Sequence, residues 1–201
     1  GLQLTGNELD NSLFGTLSVD TLNGGAGNDF LDGRSGADTL IGGLGDDRYF
    51  VDNVNEVVTE LAGQGFDRIT TTVNYTLASG QSIESLIAGG VSGLRLTGNE
   101  LANNLFGNTG ANTLDGGAGN DVLSGLGGAD VFMFGNAWGS DRVADFQNDV
   151  DTLNFSNVTG LDDYSQLVVT QSGANSVISF GGNTLTVVNV LVADLSDDVI
   201  V

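Results

Sequence analysis

Gly24-Gly25-Ala26-Gly27-Asn28-Asp29-Phe30-Leu31-Asp32 returns later in the chain as Gly116-Gly117-Ala118-Gly119-Asn120-Asp121-Val122-Leu123-Ser124. The shared phrase is Gly-Gly-x-Gly-x-Asp-x-(large apolar)-x, and it runs head to tail with a period of nine. A first block covers residues 6–50 in phases that start at Gly6, Gly15, Gly24, Gly33 and Gly42. Its sixth positions are Asn11, Asp20, Asp29, Asp38 and Asp47, and its eighth positions are Leu13, Leu22, Leu31, Leu40 and Tyr49. The second block starts at Gly98, Gly107, Gly116 and Gly125, with Asn103, Asn112, Asp121 and Asp130 sixth and Leu105, Leu114, Leu123 and Phe132 eighth. A fixed short period of this kind means that no single unit buries its own apolar face, so the units must stack.

Glycine at the first, second and fourth positions permits positive φ and close backbone approach, so six residues can turn sharply with their carbonyls inward. The remaining three are enough for a short strand whose middle side chain plugs the interior. Two nonapeptides then complete one flattened coil, and a turn's neighbour on the same side lies two repeats away. This places Asp29 near Asp47, and Asp20 near Asp38. Two carboxylates about 4 Å apart repel by roughly 4 kcal/mol at an effective dielectric constant near 20, so several such pairs need counter-ions. Carboxylates and carbonyls in a chain with no His and no Cys suit a hard cation of calcium size, not zinc or copper.

Composition points the same way. The formal net charge is −21, with 26 acidic residues against five arginines. The cation-free chain is therefore expected to be expanded, and cation binding to be coupled to folding. With no cysteine to form disulfides, metal ions are the available staples. Thirty-two glycines without a three-residue period, and no proline, exclude collagen and argue against a Pro-rich linker.

These nonapeptides resemble those of the repeats-in-toxin (RTX) family, secreted bacterial proteins whose repeats form a calcium-loaded parallel β-roll. The resemblance implies an all-β fold, and sites in which each ion takes carbonyls of positions two and four plus the sixth-position Asp from one turn. The turn two repeats on adds carbonyls of positions one and three and its own Asp. The best site so implied uses Gly25, Gly27, Asp29, Gly42, Leu44 and Asp47; a second uses Thr16, Ser18, Asp20, Gly33, Ser35 and Asp38, with Thr16 and Ser18 departing from the glycine pattern. Three further combinations replace one carboxylate by an amide and are expected to bind more weakly or stand empty. They are Asn7, Leu9 and Asn11 with Gly24, Ala26 and Asp29; Asn99, Leu101 and Asn103 with Gly116, Ala118 and Asp121; and Asn108, Gly110 and Asn112 with Gly125, Gly127 and Asp130.

From Ala129 onward the chain resembles the segment that closes the β-roll in serralysin-type proteases and some secreted lipases. The matching residues are Asp130-Val131-Phe132, Asp141-Arg142-Val143-Ala144-Asp145-Phe146, Asp151-Thr152-Leu153-Asn154-Phe155-Ser156 and the strands around residues 176–190. That resemblance makes Asp145 a candidate ligand of a terminal calcium. Asp198-Val199-Ile200-Val201 matches the family's C-terminal type I secretion signal.

Leu2-Gln3-Leu4-Thr5-Gly6-Asn7-Glu8-Leu9 returns as Leu94-Arg95-Leu96-Thr97-Gly98-Asn99-Glu100-Leu101, a duplication at a larger scale. The expected organisation is a first β-roll block over 1–50, a calcium-poor solenoid connector over 51–97, a second block over 98–133 and a cap over 134–201. Within the connector, residues 67–76 alternate like a strand, and 79–88 could hold a short helix because Ile83, Leu86 and Ile87 have helical spacing. Another brief helix is expected at 162–167.

Functionally, the chain reads as a calcium-binding module that orders outside a bacterial cell, exported by a type I apparatus, and as the non-catalytic C-terminal part of a larger secreted protein. The Gly1-Leu2 start fits a cut fragment, and no N-terminal signal peptide or long apolar run supports Sec export or a membrane span. No His, no Cys and no Gly-x-Ser-x-Gly elbow argue against catalysis. The alternative is a carbohydrate-binding, adhesin or surface-layer module, with Trp138, Tyr75 and Tyr164 as stacking faces for a polysaccharide. Nucleic acid is disfavoured because Arg34, Arg48, Arg68, Arg95 and Arg142 are scattered and read as local partners of nearby Asp.

Overall fold

A computed structural model describes residues 1–195 and 197–201. Its regular elements are strands and two single turns of 3-10 helix, and it divides into two compact units, Gly1–Gly89 and Gly90–Val201. Each unit contains a parallel β-roll.

In the first unit the strands are β1 (Gln3–Thr5), β2 (Ser12–Phe14), β3 (Thr21–Ala26), β4 (Phe30–Asp32), β5 (Thr39–Leu44), β6 (Arg48–Val51), β7 (Val57–Thr59), β8 (Arg68–Thr71), β9 (Tyr75–Thr76) and β10 (Ser85–Ala88). Odd and even strands form opposite walls: β1-β3-β5-β7 on one side and β2-β4-β6-β8-β10 on the other. All of these pairings are parallel, with Leu4, Leu22, Leu40 and Val58 in register along one wall. Leu13, Leu31, Tyr49, Ile69 and Leu86 are in register along the other. Leu22, Leu31 and Leu40 are fully buried. Burying each contributes about 1.5–3 kcal/mol, and because every plug touches the coils above and below, truncating one to Ala costs roughly 2–5 kcal/mol.

The second unit repeats the plan with β11 (Arg95–Thr97), β12 (Asn104–Phe106), β13 (Thr113–Asp115), β14 (Val122–Ser124), β15 (Val131–Met133), β16 (Ser140–Val143), β17 (Thr152–Asn154), β18 (Val168–Ser172), β19 (Asn175–Phe180), β20 (Asn183–Val187) and β21 (Val199–Ile200). One wall runs β11-β13-β15-β17-β21, in parallel, and the other β12-β14-β16-β20, also parallel. There β20 turns back into the antiparallel meander β20-β19-β18, which covers the edge. In the same unit Trp138, Phe134 and Phe155 are buried together, with Phe134 stacked on Phe155 at 4.8 Å between ring centroids.

Residues 79–88 are not helical. Ser85–Ala88 is a strand paired in parallel with β8, where Leu86 meets Ile69. A segment this short nucleates a helix poorly, while the sheet edge supplies a ladder and a buried slot for Leu86. At 162–167 a single 3-10 turn forms at Tyr164–Gln166, closed by a capping box between Asp163 and Gln166. The alternating run 67–76 is split into β8 and β9.

Candidate metal centres in the repeat turns

The glycines have two separate duties. Gly25 and Gly27, at positions two and four, have φ of 106° and 101°, where a side chain is strained. Gly24, at position one, needs to lack a Cβ: any such atom would occupy the place of the Asp29 Oδ2 and crowd the Gly42 carbonyl. Gly33, Gly42, Gly116 and Gly125 likewise lie under the Oδ2 of the Asp at position six of their own turn. Glycine at position one therefore lets the carboxylate fold back into its own loop.

Each position-six side chain also binds the coil before it. The Asp29 amide donates to the Asp47 Oδ1 at 2.6 Å, and the Asp20 amide to the Asp38 Oδ1 at 2.7 Å. Asn11 donates to Asp29, Asn103 to Asp121 and Asn112 to Asp130 in the same way, at 2.7, 2.8 and 2.7 Å. The result is a ladder of carboxylates in which Oδ1 is occupied by a backbone N–H and Oδ2 points into the loop.

The inward oxygens lack partners. Asp29, Asp38, Asp47, Asp67, Asp121, Asp130 and Asp141 each have a buried Oδ2 with no hydrogen-bond partner. A buried carboxylate oxygen without compensation is among the costliest arrangements in a protein. Burial accordingly pushes the carboxyls upward: Asp47 to about 6, Asp121 to about 7 and Asp141 to about 8, with neighbouring acids adding to the shift. Asp29, Asp38 and Asp130 move in the same direction for the same first cause. A cation at the inward oxygens removes the penalty, so the donor set fits a hard, oxygen-seeking ion.

Main-chain oxygens converge on the same gaps. The Gly42 carbonyl meets the Asp29 Oδ2 over Gly24, and the Gly33 carbonyl meets the Asp20 Oδ2 over Gly15. Carbonyls of Gly25 and Gly27 face Gly43 and Gly45 of the turn two repeats on, as those of Asn7 and Leu9 face Gly25 and Gly27. Asn99, Leu101 and Gly110 direct theirs at Gly117, Gly119 and Gly128, and Ser18 at Gly36. The Asn7 and Asn99 carbonyls also accept from Ala26 and Ala118 amides at 3.0 and 2.9 Å, which leaves each a second lone pair. Leu44, whose carbonyl belongs to the first implied site, pairs with Ala26 in the ladder and leaves its side chain exposed.

The turns that depart from the glycine pattern close themselves. In turn 15–20 the Thr16 amide and hydroxyl donate to the Asp20 Oδ2 at 2.5 and 2.8 Å, and the Leu2 amide holds Oδ1. Those bonds, led by the one from Leu2, hold the Asp20 carboxyl below its usual range. Where position two is Asn, its Oδ1 accepts from the amide at position four: Leu9 to Asn7, Leu101 to Asn99, Gly110 to Asn108, at 2.8, 2.9 and 2.7 Å. Asn112 spends its amide on the Gly110 carbonyl at 2.6 Å, presenting a donor where an Asp presents an acceptor. The Gly127 amide donates to the Asn108 carbonyl at 3.2 Å, with open space where a Cβ would stand, and Ser35 is exposed. Asp145 is occupied on both oxygens, by the Gly125 and Leu126 amides at 3.0 and 2.9 Å and the Ser124 hydroxyl at 2.5 Å.

Sequence spacing missed several members of the ladder. The amides of Asp47 and Asp121 donate to Asp67 and Asp141, each 20 residues on, and that of Asp130 to Asp151, 21 residues on. A period of eighteen overlooks them because the connecting turns are longer. A usable signal was the dipeptide Asp-Arg, which recurs at Asp47-Arg48, Asp67-Arg68 and Asp141-Arg142. Glu60, which accepts from the Tyr49 hydroxyl, carries no such signal. Of the arginines, Arg95 pairs with Asp115 at 3.4 Å and Arg34 lies over the Phe14 ring.

Residues 5–40, 14–49 and 97–132 match the family described as RTX calcium-binding nonapeptide repeat. The two repeat blocks belong to that family. RTX repeats are calcium-binding motifs, and here they occupy the stretches that carry the carboxylate ladder. No curated protein matches the chain. Among solved structures, the extracellular lipase LipA from Serratia marcescens is similar over 100% of this chain at 21% identity and a TM-score of 0.38. The chain spans 40% of the length of that lipase. Among the described residues, no helix is long and apolar enough to cross a membrane.

Proposed function

We propose that this chain is a calcium-dependent folding module of a secreted bacterial protein, exported by a type I apparatus and ordered by calcium outside the cell. The observation that carries the reading is the set of buried, unpartnered Oδ2 atoms on the repeat aspartates. A fold that strands so many carboxylate oxygens is disfavoured without cations. Calcium is scarce in cytosol and abundant outside, and extracellular calcium modules bind at roughly 10⁻⁴–10⁻³ M. A chain of net charge −21 would stay extended before export and order afterwards.

The residues that would hold the ions best are Gly25, Gly27, Asp29, Gly42, Leu44 and Asp47. Blocks 1–50 and 98–133 would bear the calcium, 51–97 would connect them and 134–201 would cap the roll and carry the export signal. The chemistry of the parent protein would reside elsewhere. Trp138 is fully buried and Tyr75 nearly so, so neither offers a stacking face to a sugar, and of the three aromatics only the half-buried Tyr164 is left to the carbohydrate reading.

Circular dichroism during a calcium titration tests the reading: strand signal should rise cooperatively, and magnesium at equal concentration should be much less effective. A fully ordered chain in excess chelator at pH 8 would refute it. For export, deleting residues 198–201 should leave calcium binding largely intact and stop secretion; normal secretion of that truncation would remove the signal assignment.

A further inference from the structure

Row by row, the carboxylate ladder of the first unit does not end where the nonapeptides end. In the repeat turns the Asp29 Oδ2 meets the Gly42 carbonyl above Gly24. One coil later the Asp47 Oδ2 lies above Gly42, and there it meets the Glu60 side chain and the Tyr49 hydroxyl. The pairing Ile41↔Thr59 puts Glu60 level with Gly42, so a side-chain carboxylate stands where a backbone carbonyl stood. On the far side of the same gap, the Asp47 amide donates to the Asp67 Oδ1 at 2.8 Å.

We propose that Asp47, Glu60 and Asp67 form a cation site of their own, specific for a calcium-sized ion, which closes the row of repeat turns with three carboxylates and no dependence on the nonapeptide pattern. This rests on the reading of the repeats as calcium turns only for the role of Asp47.

Four observations support it. One carboxylate oxygen from each residue lies within 4.8 Å of the others, and ligands of one calcium at 2.3–2.6 Å can stand no more than about 5 Å apart. Asp47, Glu60 and Asp67 are 0%, 2% and 1% exposed, and Asp47 Oδ2, Glu60 Oε2 and Asp67 Oδ2 are all buried without a partner. The rest of each carboxylate is committed: Glu60 Oε1 accepts from the Tyr49 hydroxyl and the Gly43 amide, Asp47 Oδ1 from Asp29 and Asp67 Oδ1 from Asp47. No arginine pairs with the three among the described residues. Three acids so deeply buried need a cation, and an all-carboxylate protein site suits calcium better than magnesium, which gives up its hydration reluctantly.

The test is equilibrium calcium binding to the full chain, with Glu60→Gln beside Asp121→Asn in the other unit. Glutamine keeps the shape and the acceptor for Tyr49 and loses the charge. Glu60→Gln should bind one ion fewer, or hold that ion at least tenfold more weakly, and show the wild-type circular dichroism at saturating calcium. Unchanged ion number and affinity in Glu60→Gln overturns the site. A wild type that binds no calcium overturns the reading of the repeats instead, and loss of an ion only in Asp121→Asn leaves that reading standing while removing this site. As a readout independent of the Glu60 variant's folding, terbium emission excited through tyrosine should fall by more than half in Tyr49→Phe with the ion count unchanged; emission unaffected by that substitution also overturns it.

Discussion

Turns 24–29 and 107–112 have the same length, the same leading glycine and the same ladder bond, yet they end in opposite states. Asp29 uses Oδ1 to hold the Asn11 amide at 2.7 Å and leaves Oδ2 buried and unpartnered beside the Gly42 carbonyl. Asn112 uses Oδ1 to hold the Leu94 amide at 3.0 Å, and its Nδ2 donates to the Gly110 carbonyl. The second turn is complete by itself; the first is complete only with a cation. Replacing one oxygen by an amide nitrogen converts a repulsive set of acceptors into a hydrogen-bonded one. Sequence supports the switch at a second position, since Asn108 closes its loop through a side chain where Gly25 uses a positive φ.

The largest effect that would test this contrast is calcium removal. Excess chelator at pH 8 should abolish the strand signal, because every orphaned Oδ2 loses its counter-ion together; persistence of the signal would erase the distinction between the two kinds of turn. Next, Asp29→Ala should shift the calcium midpoint on the order of tenfold, since ligand charge sets affinity in such sites. Asn112→Ala should cost about 1–3 kcal/mol through its lost hydrogen bonds and barely move the calcium midpoint. Equal midpoint shifts in the two variants, followed by circular dichroism, would show that the amide turn also holds an ion.

Acidity gives an intermediate effect whose sign follows from burial. Burial raises Asp47, Asp121 and Asp141 to about 6, 7 and 8 in the fold from the ordinary aspartate value of 3.8. A raised carboxyl makes the cation-free fold weakest above about pH 8 and relieves it as pH falls through 8 to 6, fully so below about 4. In chelator, order should therefore increase between pH 8 and pH 5, while calcium affinity decreases over the same range because protons compete. An apo fold that loses order on mild acidification would contradict the burial account. Smaller still, Asn112→Asp should add one bound ion to the second unit at saturating calcium. Smallest is Gly127→Ala, which with open space around it should change thermal stability by less than about 1 kcal/mol, in contrast to Gly24→Ala, whose clash with Asp29 and Gly42 should disrupt the first block.

Much of this was readable beforehand, and for definite reasons. Period nine fixes which side chains point inward, so Leu22, Leu31, Leu40, Leu105, Leu114, Leu123 and Phe132 are all fully buried. The Asx-closed turns were also foreshadowed, because Asn at position six marked them as charge-poor. Helical spacing at 79–88 misled, since Leu86 is buried in a sheet, and Ile83 in the loop leading to it, where the edge at β8 was invisible to a local pattern. Asp67, Asp141 and Asp151 escaped because turns lengthened by two or three residues break the count without breaking the stacking.

Repeat length, the coiled architecture and the demand for a hard cation all follow from local chemistry: glycines that permit the turn, an acid in most turns, and one apolar plug per nine residues. Which oxygen of each acid is spent on the preceding coil, and which is left facing the loop, depends on coils meeting in register across eighteen to twenty residues. Glu60 reached the row the same way, brought level with Gly42 by a parallel strand pairing rather than by any repeat of its own. Hydrogen-bond partners distant in the chain are chosen by stacking, and stacking is a property of the assembled roll.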